Sequence, residues 1–419
     1  MSKQNAFYAQ SGGVTAVINA SACGVIQTAR QHSDSIGTVY AGRNGILGAL
    51  TEELIDTAAL SNETVAALRH TPGGAFGSCR YKLKDVETHR AQYERLIAVF
   101  KAHNIGYFFY NGGNDSADTC LKIAQLAESI GYPLKAIHIP KTVDNDLPIT
   151  DNCPGFGSVA KYIAVSTKEA AMDIQSMSAT STKVFILEVM GRHAGWIAGA
   201  GGLAGEGEGS APHLIIFPEI AFDRGTVMAR IDDCVKKYGY CVIVVSEGAR
   251  YSDGSFLADA GTTDAFGHKQ LGGVAPSLAG MVKQDLGYKY HWAVADYLQR
   301  SARHLASATD VQQAYAVGKA AVEFALAGKT SVMPAIIRTS ESPYAWEIGE
   351  APLSEIANAE KFMPRDYITP DGFGISELGR KYFIPLIQGE DYPPYKDGMP
   401  DYVQLQHKLV EKKLGDFEP

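Results

Sequence analysis

Residues 105–116 read IGYFFYNGGNDS. A run of β-formers ends in two glycines, followed by an amide, an acid and a hydroxyl. The run reads as a buried strand, and the paired glycines as a turn that lets backbone approach a phosphate closely. The same grammar recurs along the chain. AFYAQ (6–10) leads into SGG (11–13) and a helical pattern from Val14 to Arg30. KAIHIP (135–140) leads into PKTVDND (140–146), and a helix is expected near 158–177. KVFILEVMG (183–191), HLIIFPE (213–219) and YCVIVVSEG (240–248) read as further strands, with a helical pattern over 223–239 between the last two. Near-continuous apolar strands alternating with helices predict an α/β chain with doubly wound parallel sheets. Ligands of such sheets bind at the carboxyl ends of the strands, so the loops after the strands are where chemistry is sought.

Composition narrows the classes. The chain has 419 residues, 46% of them hydrophobic, and a formal net charge of −8. It is long enough for two or three compact units. No basic stripe points to nucleic acid, and no run of about 18 apolar residues points to a membrane. The start MSKQNAFYAQ has no export signal, and the six dispersed cysteines contain no CxxC. Free thiols in a reducing cytoplasm are therefore expected.

Some local motifs carry less than they promise. LAGKTS (326–331) ends like a phosphate loop, but Glu323 stands where that loop needs glycine. GFGSVA (155–160) matches a dinucleotide fingerprint, but DNCP rather than a strand precedes it. It is expected to start a helix beside a ligand. His193 has no second His or Cys at ligand spacing and reads as a hydrogen-bonded loop residue.

PKTVDND is the densest loop. In an extended segment Asp144 and Asp146 point the same way, with Lys141 and Thr142 just before them. A carboxylate beside a lysine suits a general base for a hydroxyl, or a partner of hydrated magnesium. D-N-D-L-P is equally well explained as an Asx-rich turn. From about Gly254 the pattern loosens. PSLAGMVKQDL (276–286) reads as a helix, HWAVADYLQR (291–300) and SVMPAIIR (331–338) as strands, and 310–327 as a helix.

Taken in order, SGG, GG-x-x-S, P-x-T-x-DND and MGR resemble the phosphofructokinase family from about residue 6 to 338. The resemblance implies two similar doubly wound α/β halves around an active-site cleft. The first half is expected over 1–140, rejoined by about 290–335. The second is expected over 141–254, a helical insertion over 255–289, and a surface extension over 340–419. The implied reaction is phosphoryl transfer to the 1-hydroxyl of fructose 6-phosphate, with Mg2+. The protein is expected to be a cytoplasmic homo-oligomer, dimer or tetramer, with no nucleic-acid or membrane partner.

The resemblance also implies roles. Asp144 is the acid that takes the 1-hydroxyl proton, with Thr142 and Asp146 around the same group. Gly12, Gly13, Arg80, Gly113, Asn114 and Ser116 lie at the donor phosphates. Met190, Gly191 and Arg192 form the sugar loop, Glu247 binds sugar hydroxyls, and Tyr297 and Arg300 hold the 6-phosphate end. Lys183 reaches a neighbouring subunit's sugar phosphate. Each has a bland alternative. Arg80 and Arg300 suit surface ion pairs, Lys183 a solvated strand end, Glu247 a helix cap and Met190 packing.

Two departures from the ATP-dependent members, Asp115 and Lys141 in place of glycine, resemble the pyrophosphate-dependent branch. Asp115 would stand where a nucleotide's α-phosphate sits. Two unit charges about 4 Å apart at an effective dielectric near 20 repel by about 4 kcal/mol. Lys141 would offset the charge of the transferring phosphoryl group. Asn114 stands where the family commonly has aspartate and is a weaker magnesium partner; Asn114 and Asp115 are the metal candidates, with Asp115, Asp144, Asp146 and the pyrophosphate holding the ion through water as the alternative. An ATP-dependent kinase and a non-catalytic sugar-phosphate-binding regulatory subunit are the alternatives.

Overall fold

The computed structural model describes residues 3–83, 86–263 and 269–419. Two sheets organise the chain. The larger runs, edge to edge, Tyr344–Pro352, Val332–Glu341, Lys135–Pro140, Ile105–Gly112, Gln4–Ser11, Ile36–Gly42 and Leu54–Asp56. Its inner pairings are parallel, and only the outermost strand on each edge is antiparallel. Ser78–Cys79 adds to the end of Gln4–Ser11, pairing Gln10 with Ser78 and Ser11 with Cys79. The smaller sheet runs Tyr290–Val294, Val184–Val189, Cys241–Ser246 and Leu214–Ile216, all parallel.

Each sheet is covered on both faces, which explains the apolar strands. Cys241–Ser246 is buried at every residue. On one face of the large sheet Phe7, Phe100, Phe108 and Tyr110 pack together. On the other, Tyr8, Phe109, Ile137 and Ile336 form a second core. Residue alternation along the strand therefore sorts side chains between two cores rather than between core and water. The helix Arg224–Tyr238 follows its sequence signals. The Asp223 carboxylate accepts from Thr226 N at 2.8 Å, and Gly239 ends the helix at φ 85°.

Strand order reverses at two places. Gln4–Ser11 lies between Ile36–Gly42 and Ile105–Gly112, so the loops at Gly12 and Gly113 open side by side. In the smaller sheet Val184–Val189 lies between Tyr290–Val294 and Cys241–Ser246, which brings together the loops at Met190, Glu247 and Asp296. Both crevices face the same cleft.

Several expectations need correction. HWAVADYLQR is not one strand. It is strand to Val294, breaks at Asp296 with φ 38°, and continues as the helix Asp296–Ser301. Its strand joins the smaller sheet, so residues 290–300 belong to the second half. The return to the first half is made by the helix Ala308–Leu326. That helix lies against Ile18–Gln31 at two glycines. A Cβ on Gly24 would come 2.3 Å from Tyr315 O, and one on Gly318 would come 2.1 Å from Ser21 O. The segment 255–289 is not only helical. The strands Asp259–Thr263 and Lys269–Leu271 pair antiparallel before the helix Val274–Leu286.

The stretch after residue 340 is more than a surface cover. Leu353 and Ile356 enter the core of the first half, and Met363, Ile368, Tyr382, Phe383 and Leu386 that of the second. The chain then returns to the first half, where Asp56 N donates to Lys408 O at 2.9 Å and Val410 N to Leu54 O at 2.8 Å. Its Pro- and Tyr-rich composition hid this. Irregular backbone can bury apolar side chains without showing a period. The helix Arg90–Ala102 and the strands at 36–42, 54–56 and 78–79 lie where the sequence pattern is mixed.

Candidate active site

The loops bound one cleft of about 1200 Å³. Gly12 turns the first loop at φ 73°. Its N–H donates to Cys79 O at 2.9 Å, and its carbonyl accepts from Ser78 Oγ at 2.8 Å. Arg80 is thereby held over the glycine turn. Lys141 Nζ donates to Gly13 O at 2.6 Å, and a Cβ on Gly13 would lie 2.7 Å from Arg300 Nη1 and 3.3 Å from Arg80 Nη2. Three cations thus converge on this glycine turn. Lys141 is 4% exposed. Burial, and then the charges of Arg300 and Arg80, push its ammonium down to about 8.

The second glycine pair starts the helix Asn114–Ser129, whose first turn lines the cleft. Ser116 Oγ donates to Ser11 Oγ at 2.8 Å, tying the two loops together. Asp115, in the first helical turn, is not an isolated charge. Lys82 Nζ lies 2.6 Å from its Oδ1.

PKTVDND makes an Asx-rich turn and at the same time brings both of its acids to the cleft. Asn145, at φ 56°, forms the turn. Its Nδ2 donates to Tyr382 OH at 2.8 Å and its Oδ1 accepts from Cys153 N at 2.9 Å. Asp144 and Asp146 flank it and both line the cleft. Asp144 N donates to Thr142 Oγ1 at 3.1 Å. Burial at the cleft floor, with Asp146 and Glu247 nearby, pushes the Asp144 carboxyl up to about 7 against the pull of Arg192 and Lys141. Burial also raises Asp146. Asn114 Nδ2 lies 3.4 Å from Asp146 Oδ2, while Asn114 Oδ1 and Asp146 Oδ1 are buried acceptors without a hydrogen-bond partner.

The smaller sheet supplies the opposite wall. Gly191, at φ 125°, donates its N–H to Glu247 Oε1 at 3.4 Å. Met190, Arg192 and Glu247 line the cleft, and burial raises the Glu247 carboxyl. Arg300 lies with its guanidinium 3.6 Å from the centre of the Tyr297 ring. The sequence reading put this pair at the 6-phosphate end; here Arg300 also reaches across to Gly13.

Lys183 is not brought to the others. It lies outside the cleft, and its Nζ donates to Ser178 O. The expected helix start beside a ligand is also corrected. At GFGSVA the Asp310 carboxylate accepts from Gly155 N and Ser158 N, both at 2.9 Å, and takes the place an anion would need. LAGKTS is the end of a helix, with Gly328 at φ 85°.

Some cleft residues escaped sequence reasoning. Lys82, two residues beyond Arg80, carried a signal in that spacing. Glu188 accepts from Gly273 N at 3.1 Å and Ala275 N at 2.8 Å, anchoring the helix Val274–Leu286. Glu360 and Lys361 come from the C-terminal stretch. Glu360 pairs with His193 Nδ1 at 3.0 Å, and Lys361 N donates to Asp146 O at 2.7 Å. No local motif marks these last two, because the fold alone brings them to the site.

Two parallel-stranded halves, a carboxylate pair on one side and clustered cations over glycine turns on the other define a phosphotransferase cleft. The chain belongs to the phosphofructokinase family, whose model matches residues 5–325. It is 73% identical over 418 residues to the pyrophosphate–fructose 6-phosphate 1-phosphotransferase of Halomonas elongata, covering 100% of both chains. Its counterpart of the same name in Methylococcus capsulatus is 68% identical over 99% of both. The solved pyrophosphate-dependent phosphofructokinase from Marinobacter aquaeolei superposes with a TM-score of 0.92 at 65% identity, covering 99% of this chain and 100% of that one.

Proposed function

We propose that this chain transfers a phosphoryl group from pyrophosphate to the 1-hydroxyl of fructose 6-phosphate, giving fructose 1,6-bisphosphate and phosphate, reversibly. The observation that carries the reading is the joint placement of Asp144 and Lys141 in one cleft. A carboxyl held near neutrality accepts a proton from a hydroxyl, and a buried ammonium stabilises a phosphoryl group in transit. The sugar oxygen forms a bond to phosphorus, the bridging P–O bond breaks, and the hydroxyl proton passes to Asp144. Lys141 and Arg80 offset the charge that moves onto the departing phosphate. Met190, Gly191, Arg192 and Glu247 hold the sugar, with Tyr297 and Arg300 at its 6-phosphate end.

Among the described residues no group of three or more His, Cys, Asp or Glu could cage a metal. The partnerless Asn114 Oδ1 and Asp146 Oδ1 instead fit a hydrated magnesium ion, which keeps most of its waters. Among the expected metal partners this favours Asn114 and Asp146 over Asp115, whose carboxylate pairs with Lys82. Bound there, magnesium would neutralise charge on the pyrophosphate oxygens. Lys183 lies outside its own cleft with its Nζ on Ser178 O, and would have to leave that carbonyl to serve a neighbouring subunit of the homo-oligomer we propose. No helix among the described residues is long and apolar enough to cross a membrane. From the proposed reaction we infer a role in glycolysis, in the cytoplasm.

The test is fructose 6-phosphate phosphorylation with magnesium, comparing pyrophosphate and ATP at equal concentration. Turnover with pyrophosphate alone is expected. Turnover with ATP alone would return the protein to the ATP-dependent reading, and turnover with neither to a regulatory one.

A further inference from the structure

We propose that Lys82 is a donor-specificity residue, holding Asp115 in the cleft wall so that the ion pair, rather than the bare acid, closes the far end of the pyrophosphate pocket. The inference rests on the donor reading above. A bare carboxylate beside Lys141, Arg80 and Arg300 poses a difficulty for that reading. It would repel pyrophosphate as well as ATP, and it would be drawn onto the cations that the donor needs. Lys82 removes both problems. Its Nζ is 2.6 Å from Asp115 Oδ1, and both residues line the cleft.

The backbone explains why Lys82 arrives there. Ser78–Cys79 is zipped to the end of Gln4–Ser11, and the hydrogen bonds of Gly12 to Cys79 and Ser78 fix the chain that follows. Arg80 and Lys82 stand two residues apart and both reach the cleft. Asp115 is equally fixed, in the first turn of Asn114–Ser129. The pair is about one-third exposed, 38% at Lys82 and 30% at Asp115, so it faces the donor instead of being sealed in the core. Pyrophosphate ends beside a neutral pair. A longer donor must insert another phosphate where the pair sits, which separates Lys82 from Asp115 and sets anion against carboxylate.

The partnership predicts opposite consequences in two backgrounds. With Asp115 present, Lys82→Met leaves an unpaired acid in the donor pocket. With Asp115→Gly, Lys82 is released and becomes a cation for the added phosphate of ATP. Four proteins are compared with magnesium, fructose 6-phosphate and either donor: wild type, K82M, D115G and K82M/D115G. We expect K82M to lower kcat/KM for pyrophosphate at least tenfold, with KM for fructose 6-phosphate within twofold. Lys82→Arg, which keeps the pair, is expected to restore pyrophosphate use to within threefold of wild type. D115G is expected to gain ATP turnover, and K82M/D115G to lose at least tenfold of that gain. The proposal is overturned if K82M matches wild type with pyrophosphate within twofold, or if the double variant uses ATP as well as D115G does. A wild type inactive with pyrophosphate would sink the donor reading itself, whereas an active wild type with an unaffected K82M would sink only this inference.

Discussion

Asp144 and Lys141 set the pH range in which the site works. The base acts ionised, so activity rises with pH through about 7; the lysine acts charged, so activity falls through about 8. We expect a narrow bell in kcat/KM, read from initial rates with pyrophosphate at constant ionic strength. A flat profile from pH 6 to 9 would contradict it. Asp144 also has a cost for stability. Its folded pKa lies above its usual 3.8, so the native state binds the extra proton between the two values. Its contribution to stability therefore declines as pH rises from about 4 to about 7. Asp144→Asn removes that repulsion against Asp146 and Glu247. The variant is expected to melt higher than wild type at pH 8 while kcat falls ~10²–10⁴-fold. A lower melting temperature would show that the charged carboxylate stabilises the cleft floor.

At the scale of elements, glycine turns and helix starts do the positioning. The helix Asn114–Ser129 opens onto the cleft, whereas Phe156–Met177 is closed by Asp310. The two helix starts look alike in sequence and serve different ends. Asp310→Ala is expected to destabilise the protein by about 1–2 kcal/mol through loss of this cap, with more if the buried N–H groups stay unpaired. Denaturant titration reads the loss. Binding of inorganic phosphate at the vacated helix start of this variant, by calorimetry, would show that the anion site had been latent.

For the whole molecule, the C-terminal stretch ties the two halves together. Phe383, fully buried, packs with Phe156 and Trp196 in the second half, while Leu353 and Val410 engage the first. Phe383→Ala is expected to cost about 3–5 kcal/mol and to lower the single thermal transition of the whole chain. If calorimetry instead showed a second-half transition moving alone, the halves would unfold independently and the strap would not couple them.

The main apolar parallel strands with the loops that follow them, the carboxylate pair and its lysine, and the glycine turns were legible in the sequence, whereas the strands at 36–42, 54–56 and 78–79 and the break at Asp296 were not. The legible features depend on spacing within a few residues, which one-dimensional pattern preserves. Asn145 could be read as a turn residue, and Asp144 and Asp146 as its flanking acids, because strand alternation and turn chemistry are local. Only the tertiary structure could decide that Lys82 partners Asp115, that Asp310 seals the helix start at Gly155, and that Glu360 and Lys361 cross from the C-terminal stretch to the cleft. Those contacts join residues tens to hundreds apart in the chain. Such pairings are selected by packing and charge in three dimensions, and leave no period in the sequence to read.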